Sequence, residues 1–233
     1  MNIAVVLSGG VGSRMGIEIP KQYVIVNGEP VINYCLKTFL DNELTDIIII
    51  GVADEWKSFV VENIIRLNPK KPIYYSQPGE TRQYSIYNAL KVARTIVHSD
   101  DDIVLIHDAA RPLVSHELIN SCYCGCKDSD CIMPVIPVKD TIYLSKDGMH
   151  IESLLDRNHL KSGQAPEAFK FGKYLRVHEE MPREELLKIN GSTEIAFKTG
   201  LNCQMIEGDP CNFKITTPED LSNFETIILK NNQ

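Results

Sequence analysis

The sequence predicts an α/β fold in which a mostly parallel β-sheet has helices on both faces. Short, almost continuous apolar runs rich in β-branched residues alternate with longer segments whose apolar residues recur every three or four positions. Runs of the first kind are typical of strands buried on both faces, as in parallel sheets. Their regular alternation with helical segments indicates repeated βα units, which cover both sides of one sheet.

The expected strands and helices follow one another from Asn2 to Val135. The strands are Asn2–Leu7, Asp46–Val52, Pro72–Ser76, Ile103–His107 and Cys131–Val135. The helices are Val31–Leu40, Glu55–Leu67, Arg82–Val97 and Ser115–Lys127. Ligands of such open sheets bind outside the carboxyl ends of the strands, so the residues that follow each strand are the first candidates for a site.

A β-hairpin arm is expected where this pattern stops. Thr141–Leu144 and Met149–Ser153 flank Asp147-Gly148, a pair typical of hairpin turns. A hairpin cannot bury both of its faces by itself. We therefore expect residues 138–160 to form a protruding arm that packs on a second copy of the chain, and packing back on the same chain is the alternative.

The C-terminal part returns to α/β character. Cys203–Glu207 has the pattern of a short strand. Thr217 suits the N-cap of a final helix and Pro218 its first position. With no linker or repeat in the sequence, we expect residues 1–233 to form a single domain into which the arm is inserted.

Composition argues against several classes of function. Hydrophobic residues make up 43% of the 233 residues, and the formal net charge is -7. Nucleic-acid binding requires a basic face, which this balance does not favour. The apolar runs fall short of the roughly 20 residues that cross a membrane, and Ile3–Leu7 is too short for a signal peptide. We therefore expect a cytoplasmic protein whose ligands are small molecules.

The cysteines should be reduced thiols in that compartment. Four of the seven lie close in sequence, namely Cys122, Cys124, Cys126 and Cys131. A soft-metal site is one interpretation, although the spacing is not the paired C-x2-C of structural zinc. On a helix, Cys122 and Cys126 share a face and Cys124 points away. Small buried residues near a helix end are the other interpretation.

The first strand runs into a glycine loop that extends from Ser8 to Gly16. Glycines let backbone N–H groups approach phosphate oxygens closely. The loop lacks the Gly-Lys-Ser/Thr end of a Walker loop and is one residue too long for G-x-G-x-x-G. It carries its own cations, Arg14 and Lys21, which suit a triphosphate and the charge that develops on leaving pyrophosphate. A solvated loop is the alternative interpretation.

The fourth strand ends in a second candidate, His107-Asp108-Ala-Ala-Arg111. A carboxylate at the carboxyl edge of the sheet is suited to Mg2+, which binds few protein oxygens together with substrate phosphates. Arg111 could bind a second phosphate. An N-cap Asp108 beside a surface Arg111 is the alternative. We interpret His107 as structural, since an attacking phosphate is already an anion near neutral pH and needs no base.

Five motifs in order resemble one known family. SGGVGSRMG with PKQ, HDAARP, VKDT, DRN and NFKITTPEDL resemble the CTP-dependent cytidylyltransferases that act on polyol phosphates, in isoprenoid and teichoic-acid synthesis. The resemblance runs from residue 3 to about residue 225. It implies a Rossmann-like nucleotidyltransferase fold with a dimerisation arm, a homodimer, and Mg2+ as cofactor. It also implies in-line attack of a polyol phosphate on CTP, giving a CDP-alditol and pyrophosphate.

The resemblance also implies roles for individual residues. Catalytic roles fall to Arg14, Lys21 and Lys214. Nucleotide-binding roles fall to residues that would surround the base, ribose and phosphates, namely Ser8, Gly9, Gly10, Gly12, Gly79, Arg82, Ser85 and Asp108, of which Asp108 would also hold the metal. Roles at the acceptor fall to Arg111, Thr141, Arg157 and Thr193, with Thr141 and Arg157 reaching the neighbouring subunit's substrate from the arm.

The identity of the acceptor depends on smaller likenesses. Pro78 stands where the family often has a second glycine before Gly79. The stretch from His159 to Gln164 resembles the ribitol-5-phosphate enzymes, whereas Asp156-Arg157-Asn158 resembles the methylerythritol-4-phosphate enzymes. We favour ribitol 5-phosphate, with methylerythritol 4-phosphate as the alternative. More distant alternatives are an NAD-dependent oxidoreductase and a nucleotide-binding protein without catalysis.

Overall fold

The structure, a computed structural model, describes residues 1–10 and 19–231. The strands in these ranges are β1 (Asn2–Leu7), β2 (Ile25–Val26), β3 (Glu29–Pro30), β4 (Ile47–Gly51), β5 (Ile73–Ser76), β6 (Ile103–Asp108), β7 (Cys131–Pro137), β8 (Ile142–Leu144), β9 (Ser153–Leu155), β10 (Lys161–Gly163), β11 (Glu167–Lys170) and β12 (Cys203–Glu207). The α-helices are α1 (Val31–Asp41), α2 (Asp54–Arg66), α3 (Arg82–Arg94), α4 (His116–Gly125), α5 (Phe171–Glu180), α6 (Arg183–Leu186), α7 (Ser192–Lys198) and α8 (Pro218–Asn231).

Most strands of the central sheet run parallel. The strand order is β10-β7-β11-β6-β1-β4-β5, and β12 pairs with β7. The pairs from β6 through β1 and β4 to β5 are parallel, as is the pair of β12 with β7. The predicted mostly parallel sheet is therefore confirmed. Two antiparallel strands were not predicted: β11 lies between β6 and β7, and β10 pairs with β7.

The register of the sheet brings two candidate segments to one edge. Leu7, the last residue of β1, lies opposite Asp108, the last residue of β6. The Ala109 N–H continues the ladder by donating to the Leu7 carbonyl at 3.0 Å. The glycine loop and the Asp108 segment therefore leave the sheet side by side, as expected for parallel strands.

Helices cover both faces of the sheet, because alternate residues of each central strand point to opposite sides. Ala4 and Val6 of β1 pack in one apolar cluster with α1, α2 and α4. Ile3 and Val5 pack in a second cluster with α3, α5 and α7. No helix within residues 1–10 and 19–231 is long and apolar enough to span a bilayer.

The arm forms an antiparallel pair whose second strand lies later than predicted. Leu144 of β8 lies opposite Ser153 of β9, so β9 begins where the predicted strand Met149–Ser153 was to end, and that prediction is wrong. The Asp147 carboxylate accepts from the backbone N–H groups of Met149 and His150 at 2.9 and 2.8 Å. These bonds hold the residues after the turn in a loop and keep them out of the ladder.

Candidate active site

The glycine loop after β1 is held by side chains that follow it in the sequence. The Gln22 amide Nε2 donates to the carbonyl oxygens of Ser8 at 2.5 Å and Gly10 at 2.8 Å. The Ser8 hydroxyl donates to the Gly51 carbonyl at 2.8 Å, and the Tyr23 hydroxyl donates to the Ser8 carbonyl at 2.9 Å. Ser8 is 2% exposed. Its side chain therefore fixes the start of the loop from inside the protein.

A second glycine lies across from this loop. A Cβ at Gly9 would lie 2.5 Å from Pro78 Cβ, so the two loops are in contact. A Cβ at Gly79 would lie 2.3 Å from Tyr84 Cβ and 2.9 Å from the Ser85 nitrogen. The Gly79 N–H donates to the Ser85 hydroxyl oxygen at 2.9 Å. Both positions require glycine because the backbone approaches other atoms so closely.

Three cations surround the carboxylate of Asp108. Arg82 Nε and Nη2 donate to Oδ1 at 3.1 and 3.0 Å. Lys214 Nζ donates to Oδ2 at 2.8 Å, and Arg111 Nε lies 4.0 Å from the same oxygen. The Asp108 side chain is 13% exposed. Burial by itself would raise its pKa, but Arg82, Lys214 and Arg111 together hold that pKa well below its usual range.

The two distant cations reach Asp108 through local structure. Arg82 is the first residue of α3, whose N-cap Thr81 accepts from the Tyr84 N–H. Lys214 lies in the segment before α8. The Ile215 N–H donates to the Ala110 carbonyl at 2.8 Å, which ties this segment to the end of β6. Arg82 and Lys214 thus both contact Asp108, although the three residues are far apart in the chain.

His107 precedes Asp108 but faces the interior. It is fully buried, and burial lowers its pKa to about 4, so the imidazole is neutral at pH 7. Its Nε2 lies 3.0 Å from the Arg111 carbonyl oxygen, which suits an N–H donor at that nitrogen. The side chain supports the turn after β6, as the structural interpretation expected.

A cavity of about 460 Å³ opens above these groups. Eight of the predicted site residues line it, namely Gly9, Gly10, Lys21, Gly79, Arg82, Ser85, Asp108 and Lys214. Ligand-sized cavities of this kind with convergent polar groups are the default candidates for a binding site. The cations and glycine amides suit a polyanionic ligand such as a nucleoside triphosphate.

Other predicted residues do not line the cavity. Ser8 lies beneath it, and Arg111 Nη1 donates to the Asn212 carbonyl at 2.7 Å. Thr193 contacts Cys131 on β7. Thr141 and Arg157 lie on the arm, where both are exposed. Gly12 and Arg14 fall outside the described residues.

Sequence reasoning missed several residues of the site. Glu80, Thr81 and Thr216 line the cavity. Gln22 fastens the glycine loop, and its place in the PKQ motif was the available signal. Ser192 accepts a hydrogen bond from Arg82 Nη1, and no sequence pattern pointed to that contact.

The clustered cysteines follow the helical geometry. Cys122 and Cys126 are fully buried and Cys124 is exposed. Burial raises the pKa of the Cys126 thiol to about 12, so it stays protonated. Within residues 1–10 and 19–231, no three His, Cys, Asp or Glu side chains are grouped to hold a metal ion.

The fold and site define an α/β protein with a cation-lined cavity at the carboxyl edge of a mostly parallel sheet, where such folds bind their ligands. Solved structures share the fold. A 4-diphosphocytidyl-2C-methyl-D-erythritol synthase from Anaerococcus prevotii has a TM-score of 0.81 and 23% identity, covering 98% of this chain and 96% of that one. A 2-C-methyl-D-erythritol 4-phosphate cytidylyltransferase from Francisella tularensis has a TM-score of 0.78 and 29% identity, covering 96% and 99%.

Sequence comparison gives the family. The model of the IspD family, 2-C-methyl-D-erythritol 4-phosphate cytidylyltransferase, matches residues 2–230. A 2-C-methyl-D-erythritol 4-phosphate cytidylyltransferase from Clostridium beijerinckii is 36% identical, covering 94% of each chain. A ribitol-5-phosphate cytidylyltransferase from Streptococcus agalactiae is 30% identical, covering 97% of this chain and 95% of its own. The chain belongs to the IspD family of cytidylyltransferases, which are nucleotidyltransferase enzymes.

Proposed function

We propose that this enzyme transfers CMP from CTP to a polyol phosphate in the cytoplasm, with release of pyrophosphate. The observation that supports this most is the meeting of Arg82, Asp108 and Lys214 at the cavity that Gly9 and Gly10 line. Membership of a cytidylyltransferase family supports CTP as the nucleotide. The proposal treats residues 1–233 as one domain with residues 138–160 as its arm.

In the proposed step, a phosphate oxygen of the acceptor attacks the α-phosphorus of CTP in line. The bond from that phosphorus to the oxygen bridging the α- and β-phosphates breaks, and pyrophosphate leaves with its electron pair. The attacking oxygen is already anionic near neutral pH, so no side chain has to accept a proton. Catalysis then consists of positioning and of stabilising the charge on the phosphoryl and pyrophosphate oxygens.

The cations of the cavity are suited to that task. We assign Lys21 and Lys214 to the phosphates of CTP and to the transition state, together with Arg14, which lies outside the described residues. Lys214 pairs with Asp108 at 2.8 Å, and an incoming phosphate would compete for the ammonium group. Gly9, Gly10 and Gly12 would offer backbone N–H groups to the phosphates. Ser8 would act by fixing the loop.

We place the nucleoside against the part of the cavity that Gly79 and Ser85 line. Gly79 and Ser85 lie together there, joined by a 2.9 Å hydrogen bond, and we assign them to the cytidine. Pro78, the departure from the family pattern, packs on Gly9, so it fills space between the two loops. Arg82 lies between this region and Asp108, within reach of the phosphates.

A divalent cation belongs to the proposal. Asp108 fits it because Mg2+ in phosphoryl-transfer sites binds one or two carboxylates plus substrate phosphates. Its oxygens accept from Arg82 and Lys214, so a metal there requires those cations to pair with phosphate instead. When bound, Mg2+ would neutralise charge on the phosphate oxygens.

We assign the acceptor to two groups of residues. Two of them lie outside the arm: Arg111 follows β6, with its Nε 4.0 Å from Asp108 Oδ2, and Thr193 is on α7. Thr141 and Arg157 are exposed on the arm, and we propose that they reach the site of a second subunit in a homodimer. Exposed apolar side chains along the arm support this, namely Tyr143, Leu144, Met149, Ile151 and Leu154.

For the acceptor we place 2-C-methyl-D-erythritol 4-phosphate first. Of the two relatives found by sequence comparison, the one from Clostridium beijerinckii, named for that acceptor, is 36% identical, and the one from Streptococcus agalactiae, named for ribitol 5-phosphate, is 30% identical. Ribitol 5-phosphate, which the stretch from His159 to Gln164 favoured, is the second candidate. The two differ in a methyl branch and chain length, which a pocket distinguishes by about 1–3 kcal/mol per methylene.

The experiment measures pyrophosphate release from CTP and Mg2+ with each acceptor, and identifies the product by 31P NMR. Lys214→Met should lower kcat by about 100- to 1000-fold, because a charge at the transition state is lost. Lys127→Met, a change of an exposed lysine that does not line the cavity, should leave kcat unchanged. Saturable CTP binding without pyrophosphate release with either acceptor would contradict the proposal and favour a nucleotide-binding protein without catalysis.

A further inference from the structure

A buried carboxyl group lies behind the site and has no part in the proposed reaction. Glu167 is on β11, opposite Ile106 of β6, two residues before Asp108. The residue is 9% exposed, and its Oε2 has no hydrogen-bond partner among the described residues. It does not line the cavity. A charged group in such a place is costly unless other charges offset it.

The groups that face Glu167 are the arginines of the site. Arg82 and Arg111 both favour its ionised form, as does the Ser192 hydroxyl. Burial and the neighbouring Asp108 act the other way, and burial is the largest influence, so the pKa of Glu167 is raised. Glu167 in turn favours the charged form of each arginine.

Ser192 is hydrogen-bonded to Arg82, and its hydroxyl is one of the groups that favour the ionised form of Glu167. It is the first residue of α7 and fully buried. Its Oγ accepts a hydrogen bond from Arg82 Nη1, so its own proton is available to a carboxylate. Arg82 Nε and Nη2 face the other way, to Asp108 Oδ1. The guanidinium is thus held at one edge by Asp108 and at the other by Ser192.

Glu167 affects the balance of charge around Asp108. Arg82, Arg111 and Lys214 surround Asp108. With Asp108 alone the cluster has two excess positive charges, and an ionised Glu167 would reduce the excess to one. When a ligand phosphate or a metal ion draws Lys214 or Asp108 away, the Ser192 hydroxyl remains hydrogen-bonded to Arg82, and the charge of an ionised Glu167 would still act on it.

We infer that Glu167 is a positioning residue, which acts through Ser192 to hold the Arg82 guanidinium in place for the phosphates of the nucleotide. This inference rests on the proposed function for its ligand, but the contacts that carry it lie within the chain. Glu167 does not touch substrate; it fixes the direction in which Arg82 presents its remaining N–H groups. A misdirected arginine loses its phosphate contact although it keeps its charge.

The test uses three variants and one control. Glu167→Gln keeps the shape of the side chain and removes its capacity for charge. Ser192→Ala removes the hydroxyl that accepts from Arg82 Nη1, and the third variant combines the two substitutions. Phe169→Leu is the control for loosened packing, because Phe169 is buried on the same strand and stacks on Tyr174 with ring centroids 3.7 Å apart. Thermal melts establish that each variant is folded.

Steady-state kinetics give the first measurement. Glu167→Gln and Ser192→Ala should each lower kcat/KM for CTP about 10- to 100-fold, because a 1 Å misplacement costs up to that much. The double variant should lose no more than the worse single variant, since both act on one contact. Phe169→Leu should lower the melting temperature and keep kcat/KM. A loss in Phe169→Leu equal to that in Glu167→Gln would assign Glu167 a packing role and overturn the inference.

A second measurement needs no substrate. In 15N-labelled protein, the Arg82 Nε–H signal reports how firmly the guanidinium is held. Its hydrogen exchange should be at least about tenfold faster in Glu167→Gln and in Ser192→Ala, and unchanged in Phe169→Leu. Absence of turnover in the unsubstituted enzyme would overturn the proposed function, while this exchange rate still decides on Glu167. Unchanged exchange in Glu167→Gln would overturn the inference.

Discussion

Replacing Asp108 by asparagine tests the central cluster of the site. The substitution keeps the volume of the side chain and removes its charge. Arg82 at 3.0 Å, Lys214 at 2.8 Å and Arg111 at 4.0 Å would then lose their shared partner. The side chain is 13% exposed, so water can solvate the uncompensated cations only in part. Glu167 would be the carboxylate left to offset them.

The magnitude follows from the cost of breaking a buried ion pair. Removal of one partner typically destabilises a protein by about 3–5 kcal/mol. Asparagine can still accept one of the hydrogen bonds, so we expect the lower end, about 3 kcal/mol of unfolding free energy. For a chain of this size that corresponds to a fall in melting temperature of about 6–12 °C.

The assay is thermal and urea unfolding in EDTA, with and without pyrophosphate. The anion should stabilise Asp108→Asn more than the unsubstituted protein, because it supplies the missing negative charge. Asp102→Asn is the matched control: Asp102 pairs with the N-terminal amine at 2.7 Å, away from the cavity. The Asp102→Asn variant should be less stable than the unsubstituted protein, and pyrophosphate should stabilise both of them equally. Equal melting temperatures for Asp108→Asn and the unsubstituted protein would refute the reasoning.

The sign of the pH dependence follows from the lowered pKa of Asp108. A carboxyl group whose folded pKa is depressed contributes stability above its ordinary pKa and loses it as pH falls through the folded value. Between about pH 5 and pH 8 the group is ionised in both folded and unfolded states. The ionisation of Asp108 itself should therefore add no pH dependence to the difference between the protein and Asp108→Asn across that range.

Three further predictions concern other parts of the chain. Gly79→Ala should destabilise by about 1–3 kcal/mol and weaken CTP binding, because the new Cβ would lie 2.3 Å from Tyr84 Cβ; Gly10→Ala, whose Cβ would meet nothing within 4 Å, is the control for stability. Leu154→Glu should give a monomer in light scattering, whereas Leu229→Glu, a similarly exposed leucine on α8, should not; a dimer in both would contradict the arm as interface. Burial lowers the pKa of His107 to about 4, so its stability contribution is present above its ordinary pKa near 6.5 and is lost as pH falls toward 4. Urea unfolding at pH 5 should show a loss of about 2 kcal/mol relative to pH 7 from this imidazole, and a smaller loss in a His107→Asn variant that folds.

The central sheet could be predicted in large part because its strands have a local signal. β1, β4 and β6 are apolar runs that stay buried on both faces, and burial on both faces leaves a pattern in the sequence itself. The glycine loop and Asp108 could be assigned to one edge for the same reason, since parallel strands end together. The final helix also begins at Pro218 as predicted.

The missed elements depended on contacts distant in sequence. β11 has four residues and no marked pattern, and it exists because the edges of β6 and β7 offer backbone partners on both sides. β9 begins later than predicted because the Asp147 carboxylate accepts hydrogen bonds from the backbone N–H groups of Met149 and His150, which a strand would have used for its ladder. Neither effect has a periodicity that could be read from the residues alone.

The sequence by itself determined the sheet, the glycine loop with Lys21, and the place of Asp108 at a strand end, because local pattern and strand direction fix these features. Only the tertiary structure decided which cations meet Asp108, that Arg111 turns to a carbonyl, and that Glu167 and Ser192 stand behind Arg82. Arg82 and Asp108 are 26 positions apart and Lys214 is 106 positions from Asp108. The physical reason is that charges interact through space, whereas a sequence records only the order of the residues that bear them.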